Sequence, residues 1–458
     1  MFGAIANTFS NCFKIPELKS RILFTVAVLA VCRLIAHIQV PGLDGATLQA
    51  WFLKNGAAMS GSLLGTYSLF TGGALQKCAV GALGIMPYIT ATIIIQLLSA
   101  VVPTLSKLAR EEGGRAKIVQ YGRFLTVILC LGHGTLMTLG WENPEKLFPG
   151  VDHLVLIENL WWYRIQTITI LTAGTLLLMW LGEQITERGI GNGISLIITV
   201  GILADLPMAG QAVLEMFFPP QGVDRQFNGF HALGLLALLG GVVAGVIAVT
   251  QAQRKIPVQY AQRNVGKKVY AGGSSFMPLR VNYAGVMPII FAQAILMFPG
   301  IILLKLGEIT NIPFFSEAAR QLQPGHTIYY LVFTLMILFF SYFWVATQFN
   351  EIQIADDLKK NNGYIPGVRP GQATSEFLHK TMSRITLAGA IFLTLIALIP
   401  QFLGNMFNIN PYVTQFFGGT SMLITVGVLL DTMRQMETHL LMRHYDGFLK
   451  KGRLKGRS

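Results

Sequence analysis

Residues 69 to 98 read LFTGGALQKCAVGALGIMPYITATIIIQLL and change character halfway along their length. The first half is rich in glycine, with Gly72 and Gly73 followed by Lys77, whereas the part from Gly84 to Leu98 contains no charged residue. Backbone that is not regularly helical survives at membrane depth only where protein buries it or water lines it, because lipid cannot satisfy its N–H and C=O groups. We therefore predict a short re-entrant segment that lies in a protein cavity and leads into one membrane-spanning helix.

The composition of the rest of the chain is that of a membrane protein. Of its 458 residues, 52% are hydrophobic and only 12% are charged, whereas a soluble domain carries roughly 25% charged residues. A hydrocarbon layer of about 30 Å requires about 20 apolar residues per helix. Ten windows of this kind can be placed, near residues 22–38, 79–99, 124–140, 164–182, 194–217, 232–251, 284–304, 328–347, 385–403 and 417–433. The sequence predicts an all-α polytopic membrane protein with ten transmembrane helices.

The basic residues are distributed unequally between the two faces of this predicted protein. The net charge is +13, and most of the 35 lysines and arginines fall in the N-terminal tail, the even-numbered connections and the C-terminal tail. The exceptions are Arg33, inside the first window, and the opposite-face residues Lys54, Lys77, Lys146, Arg164, Arg225, Lys305 and Arg320. Because cytoplasmic loops carry the excess of positive charge, we place both termini in the cytoplasm and do not infer nucleic-acid binding from the charge.

The ten windows divide into two sets of five. We predict a cytoplasmic N-terminal segment at 1–21, an N-terminal half at 22–217, a C-terminal half at 218–433 and a basic cytoplasmic tail at 434–458. An odd number of helices per half makes the second half enter from the opposite side, which permits two inverted halves around a central pore.

Two cytoplasmic loops, near 252–281 and 349–380, are unusually long. Loops beyond about 15 residues are uncommon without a function, and binding residues gather on loops held by a rigid scaffold. We interpret these two loops as docking elements; the alternative is a solvated charged surface.

Single residues within the windows allow structural explanations as well as functional ones. Ile85 and Ile89 are spaced i, i+4 and share one helix face, as do Ile194 and Ile198, but isoleucines in a membrane helix can simply face lipid. Arg33 stands near a helix end, where a long side chain usually extends to the interface.

The cysteines, Cys12, Cys32, Cys78 and Cys130, have neither metal-ligand nor disulfide spacing. We predict no metal and no cofactor.

Several longer motifs occur in one order along the chain. They are Gly72–Leu75, Ala82–Ile89, Trp180–Gly193, Asn282–Pro288, Ile365–Gly371 and Phe417–Ser421. With these motifs the chain resembles the SecY family of bacterial protein-conducting channel subunits, from about Pro16 to the C-terminal tail. The resemblance implies that helices 1–5 and 6–10 form two pseudo-symmetric halves, hinged between the fifth and sixth.

The resemblance also implies a plug and a pore constriction. The plug is a short helix at about residues 65–77 that blocks the external funnel at rest, and it includes Gly72, Gly73, Ala74 and Leu75. Matching motif to motif places a ring of apolar residues at Ile85, Ile89, Ile194, Ile198, Ile290 and Ile424. A narrow apolar constriction dewets, which opposes ion leakage.

A lateral gate and partner sites are implied in the same way. The gate lies between helices two and three on one half and seven and eight on the other, and we expect the amides of Gln96 and Gln293 to help hold it shut. The cytoplasmic loops would dock the ribosome or the SecA motor ATPase through Arg369, supported by Lys267 and Lys268. Further implied partners are SecE-like and SecG-like small membrane subunits, signal peptides, unfolded preproteins and anionic lipids.

These observations predict a non-enzymatic channel for unfolded polypeptides in the cytoplasmic (inner) membrane of a bacterium. It would translocate polypeptides across the membrane and insert membrane segments laterally, with energy from SecA, the ribosome or the proton-motive force. A secondary transporter is the strongest alternative of another class, since it can share inverted halves and broken helices. Ionisable residues within the apolar windows are sparse, which disfavours it. An intramembrane enzyme is less favoured, because no H-E-x-x-H occurs.

Overall fold

The fold consists of two compact units and is mostly helical. A computed structural model describes residues 15–59, 63–111, 113–146, 148–151, 153–218, 227–260, 263–265, 268–270, 273–407, 409–417 and 419–451. The first unit comprises Met1–Val213 with Val428–Ser458, and the second comprises Leu214–Gly427.

The regular secondary structure of the first unit consists of helices in its described part. Its helices are α1 (Pro16–Ile35), α2 (Gly45–Met59), α3 (Leu63–Thr71), α4 (Met86–Val101), α5 (Pro103–Arg110), α6 (Gly114–Glu142), α7 (Leu160–Arg188), α8 (Gly193–Ala204) and most of α9 (Leu206–Phe217), with a short 3-10 helix at Pro144–Lys146. Proline stands in the first turn of α1, α4 and α5, where its missing N–H costs nothing. Asn159 and Asn192 cap α7 and α8 by accepting two backbone N–H groups each. The helix boundaries therefore follow from local capping chemistry.

The second unit adds seven helices and five strands in its described residues. The helices are α10 (Gly229–Gln251), α11 (Met287–Thr310), α12 (Pro313–Gln321), α13 (Thr327–Gln348), α14 (Glu351–Lys360), α15 (Gln372–Met406) and α16 (Pro411–Phe417), and α17 (Thr420–Lys451) begins here. The strands are β1 (Gln253–Tyr260), β2 (Arg263–Val265), β3 (Lys268–Tyr270), β4 (Ser274–Arg280) and β5 (Gly363–Tyr364).

The predicted membrane-spanning windows coincide with helices. Eight described helical stretches are long and apolar enough to cross a membrane, and they overlap the third to tenth windows. The second window overlaps α4, an apolar helix of 16 residues. The first overlaps α1, whose 20 residues include Glu17, Lys19, Arg21 and Arg33. The expectation of a mostly helical, multi-pass membrane protein is confirmed.

Two ion pairs join α6 to α7 at the ends of their apolar parts. Arg123 donates two hydrogen bonds to the Glu183 carboxylate, at 3.2 and 2.7 Å. Arg164 does the same to Glu142, at 3.0 and 2.7 Å. These four residues flank the windows 124–140 and 164–182, so the paired charges bracket the apolar stretch instead of interrupting it.

Strands that the sequence analysis did not predict tie the two long loops, near 252–281 and 349–380, together. The sheet order is β4–β1–β5, with β1 antiparallel to both neighbours. Gln259 pairs with Tyr364 across the two loops, and the Tyr364 hydroxyl donates to Gln259 Oε1 at 2.9 Å. We call the sheet, α14 and the turn 365–371 the platform. It rests on a hydrophobic cluster of Ile256, Val258, Leu279, Val345, Phe349, Ile365, Leu378, Met382 and Ile385.

The glycine-rich stretch breaks the helical pattern as predicted. Helix α3 ends at Thr71, and residues 72–85 form consecutive turns before α4 begins at Met86. The Gly72 and Gly73 N–H groups donate to the carbonyls of Leu69 and Ser68, which is the Schellman pattern with a left-handed glycine after the helix. Gly72 has a φ of +64° and Gly73 of +77°. The non-helical backbone is therefore required by local chemistry.

Candidate functional site

The residues predicted as the plug lie in the turns directly after α3. Gly72, Gly73, Ala74 and Leu75 are all buried, the last two completely. The Tyr67 hydroxyl of α3 donates to the Leu83 carbonyl at 3.1 Å and thereby spans the turn segment. Residues 65–77 thus comprise most of the short helix α3 and the first turns after it, packed within the first unit, so the segment predicted as a plug helix is helical only as far as Thr71.

Hydrogen bonds join the turn segment to the chain that follows α1. The Val40 N–H donates to the Cys78 carbonyl at 2.9 Å, and the Val80 N–H donates to the Ile38 carbonyl at 2.8 Å. These bonds satisfy backbone groups that no helix serves. The turn segment is therefore fixed by protein partners, as its position in a membrane protein requires.

Arg33 reaches the same segment from the last turn of α1. Its Nη1 donates to the Gly72 carbonyl at 2.9 Å, and the side chain is half-buried. The expectation that Arg33 extends to the membrane interface is wrong, because its guanidinium is held by backbone inside the first unit. Asp205, at the junction of α8 and α9, is also buried, with 8% of its surface exposed.

Four of the predicted ring residues belong to the first unit. Ile85 immediately precedes α4 and is 2% exposed, and Ile89 is 4% exposed. The Ile89 N–H donates to the Ile85 carbonyl at 3.1 Å, so the two side chains share a face. Ile194 is half-buried in the first turn of α8, and Ile198 is 1% exposed. Ile85, Ile89 and Ile198 are buried, so the alternative that these side chains face lipid is wrong for all three.

The other two ring residues belong to the second unit. Ile290, in the first turn of α11, is 1% exposed, and Ile424, near the start of α17, is completely buried. Neither side chain is available to lipid. Burial at both positions is compatible with an internal apolar constriction, which stays a prediction.

The two predicted gate amides have different environments. Gln96 in α4 is half-buried. Gln293 in α11 is buried, and its Nε2 donates to Thr420 Oγ1 at 2.6 Å. Within the described residues, Gln293 Oε1 has no hydrogen-bond partner. Leaving a buried acceptor without a partner is costly.

Arg369 is exposed on the platform, as the docking prediction requires. Its carbonyl accepts a hydrogen bond from Thr374 Oγ1 of α15 at 2.8 Å, which anchors the turn that carries it. Lys267 lies outside the described residues, and Lys268 belongs to β3. Other exposed basic residues on the two long loops and the first turns of α15 are Arg254, Lys255, Arg280, Lys359, Lys360, Lys380 and Arg384.

Sequence reasoning missed two features of this region. It did not relate Arg33 to the Gly72 carbonyl, although a charge within an apolar window is expected to pair with another charge or with backbone carbonyls. It also did not relate Gln293 to Thr420, for which the spacing in sequence carries no signal. The first contact could have been anticipated, because the non-helical backbone near Gly72 offers carbonyl groups that no helix serves.

Metal-ligand geometry and reactive cysteines are absent from the part of the chain that the structure describes. No group of three or more His, Cys, Asp or Glu residues there could hold a metal ion. Cys32, Cys78 and Cys130 are free and buried. A cavity of about 590 Å³ in the second unit is lined mostly by apolar residues, with His231 and Thr414 among the few polar ones.

Comparison with known proteins identifies the family of the chain. A sequence model of the SecY family, described as SecY, matches residues 79–433. The chain is 41% identical over 457 residues to the protein translocase subunit SecY of Chlamydia trachomatis, which covers 98% of this chain and 99% of that relative.

Solved structures share the fold at low sequence identity. One is a SecY protein whose plug domain stabilises the closed state of the translocation channel and maintains a membrane seal, with a TM-score of 0.57, 19% identity, and coverage of 95% of this chain and 94% of that one. Another is Sec61 in the canine ribosome-channel complex from the endoplasmic reticulum, with a TM-score of 0.55, 18% identity and the same coverage. The match to the family model and the 41% identity to the C. trachomatis relative show that the chain belongs to the SecY family.

Proposed function

We propose that this chain is the channel subunit of a Sec translocase, through which unfolded polypeptides cross the cytoplasmic membrane and membrane segments enter it sideways. The observation that carries the proposal is the buried, non-helical segment 72–85, which lies between a short helix and a membrane-spanning helix beside buried isoleucines. The C. trachomatis relative is a protein translocase subunit. In this proposal the chain is a passive conduit, and SecA, the ribosome or the proton-motive force supplies the energy.

The proposed pore constriction consists of Ile85, Ile89, Ile194, Ile198, Ile290 and Ile424. A ring of aliphatic side chains dewets when no polypeptide is present and so opposes ion flow. It carries no charge, and it therefore does not discriminate among the side chains of a passing polypeptide. Flexible aliphatic residues can close around chains of different bulk. These properties match a channel whose substrates share no sequence.

The proposed plug, residues 65–77, adds a second barrier when no polypeptide occupies the pore. Complete burial of Ala74 and Leu75 supports a closed, well-packed resting state. The left-handed backbone at Gly72 and Gly73 permits the sharp reversal after α3 that a longer helix could not make. The plug-containing relative of known structure seals its channel with such an element.

The proposed lateral gate, which includes Gln96 and Gln293, presents translocating segments to lipid. Each segment then partitions by its transfer free energy, with a central leucine favourable by about 0.3 to 0.6 kcal/mol and arginine or lysine unfavourable by about 3 kcal/mol. The channel can therefore separate membrane segments from secreted ones without reading a sequence.

The proposed partners bind the platform and the membrane-embedded surface. Arg369, with Lys267 and Lys268, would contact the ribosome or SecA, because arginine presents a rigid fork of donors to phosphate or carboxylate groups. The Sec61 relative of known structure is part of a ribosome-channel complex. SecE-like and SecG-like subunits, signal peptides and anionic lipids complete the assembly, which lies in the inner membrane with both termini cytoplasmic.

Replacing ring isoleucines with a polar residue should open the resting channel to ions. We expect Ile198→Ser combined with Ile424→Ser to raise the ion conductance of the closed channel in planar bilayers, because hydroxyl groups favour wetting of the constriction. Ile128→Ser is the matched control, since Ile128 is 64% exposed on α6. Equal conductance of the double variant and the control would contradict the assignment of Ile198 and Ile424 to the pore constriction.

Reversing the charge of Arg369 should weaken partner binding. We expect Arg369→Glu to lower the affinity for ribosomes or SecA by about tenfold or more and to reduce the salt dependence of binding, since a phosphate or carboxylate contact is lost. Lys359→Glu makes the same change of charge at another exposed platform position. A binding titration at two salt concentrations distinguishes them, and equal losses would show that only net charge matters.

Removing both gate amides should relax the selection of signal peptides. An interhelical hydrogen bond in a membrane is worth about 0.6 kcal/mol, so we expect Gln96→Leu with Gln293→Leu to raise export of a substrate with a defective signal peptide about threefold. Gln353→Leu, at an exposed position of α14, is the control. Unchanged stringency in the double variant contradicts the gate role of these amides.

A further inference from the structure

We infer that Arg33 and Asp205 form a fixed latch that holds the plug segment in its closed position. The inference rests on the proposed role of residues 65–77 as the plug. It concerns two residues outside the plug, on α1 and at the junction of α8 and α9, which flank the two glycines where the plug helix ends.

The first contact of the latch is the hydrogen bond from Arg33 to the plug backbone. Arg33 Nη1 lies 2.9 Å from the Gly72 carbonyl oxygen. This donor is charged, and charge-assisted hydrogen bonds are shorter and about twice as strong as neutral ones. Because the acceptor is main chain, the contact depends on the turn conformation at Gly72 and not on a plug side chain.

The second contribution comes from the buried carboxylate of Asp205. A β-carbon built on Gly73 would lie 3.9 Å from Asp205 Oδ1, so the carboxylate stands directly beside this part of the plug. Arg33 is bound to the adjacent Gly72 carbonyl, and Lys77 follows Gly73 by four residues in the same turn segment. In the proposed latch, Arg33 and Asp205 belong to the scaffold and Lys77 moves with the plug. The negative charge of Asp205 then attracts Arg33 and, through Lys77, the plug.

Close packing allows only glycine at position 72. A β-carbon on Gly72 would lie 2.3 Å from Arg33 Nη1 and 2.8 Å from the Gly201 Cα atom. The second distance is to backbone and cannot be relieved by a rotamer change. The plug backbone and α8 thus approach each other without side chains between them, which brings the Gly72 carbonyl within reach of Arg33.

The energetics favour a reversible latch. Buried charges are costly unless they are paired or hydrogen-bonded, and both latch residues belong to the scaffold. In this inference they stay in the scaffold when the plug leaves, and the closed state adds the Gly72 hydrogen bond and the attraction of Lys77. Losing a hydrogen bond to a charged group costs about 1.5 kcal/mol or more, which is about tenfold in an equilibrium.

Closed-state conductance of the full-length protein in planar bilayers tests this inference. We expect Arg33→Gln to raise the open probability about tenfold, Asp205→Asn to raise it in the same direction, and Arg33→Lys to restore most of the closure because it keeps charge and donor. Arg164→Gln is the control, since it removes an arginine whose side chain is paired with Glu142. Deleting residues 65–75 gives the reference for a missing plug.

The outcomes separate the latch from the plug. If the variant without residues 65–75 conducts ions and Arg33→Gln does not, the latch is contradicted and the plug assignment stands. If the deletion variant does not conduct ions, the plug assignment itself is contradicted. If Arg33→Gln assembles poorly, maleimide labelling of Cys78, which directly follows the plug and is completely buried, is measured in Asp205→Asn with the other cysteines removed. Faster labelling than in the parent supports the latch, and equal labelling contradicts it.

Discussion

The structure depends on satisfying the backbone between Thr71 and Met86 without a helix. Non-helical N–H and C=O groups cannot be left to lipid, so the first unit surrounds them with partners. Residues 38–40 supply two of these partners, and Arg33 supplies a third. The end of α1, the turn segment and α8 consequently form one packed region. This requirement explains why a membrane protein retains an arginine in its first helix.

The helical part of the fold could be predicted from sequence because the membrane is a uniform solvent. Every predicted window overlaps a helix, although the second, predicted from residue 79, becomes helical only at Met86. The glycine-rich interruption before α4 was recognised from composition alone. The platform sheet could not be predicted in the same way. Strand β1 contains Pro257, and a proline argues against a strand. Gln259 of the same strand pairs with Tyr364, which lies in the other long loop. The pairing becomes visible only when both loops are folded.

The proposed site was predictable to the extent that it depends on residue type. The isoleucines at 85, 89, 198, 290 and 424 are buried, as an internal role requires. Spacing alone could not distinguish an internal position from contact with lipid. The resemblance to a family was needed to predict the internal position. The environments of Arg33 and Gln293 depend on tertiary neighbours, Gly72 and Thr420, that lie far away in sequence. For Arg33 the general tendency of arginine to reach the interface gave the wrong result.

A polypeptide arrested during transport tests the central claim most directly. A photo-reactive residue is placed singly at Ile85, Ile198, Ile290 or Ile424, and a secretory substrate is stalled by a folded domain at its C-terminal end. The account predicts that all four positions cross-link to the stalled polypeptide, whereas a probe at the exposed residue Ile128 does not. Cross-links to lipid from the four positions, with none to the polypeptide, would contradict the account.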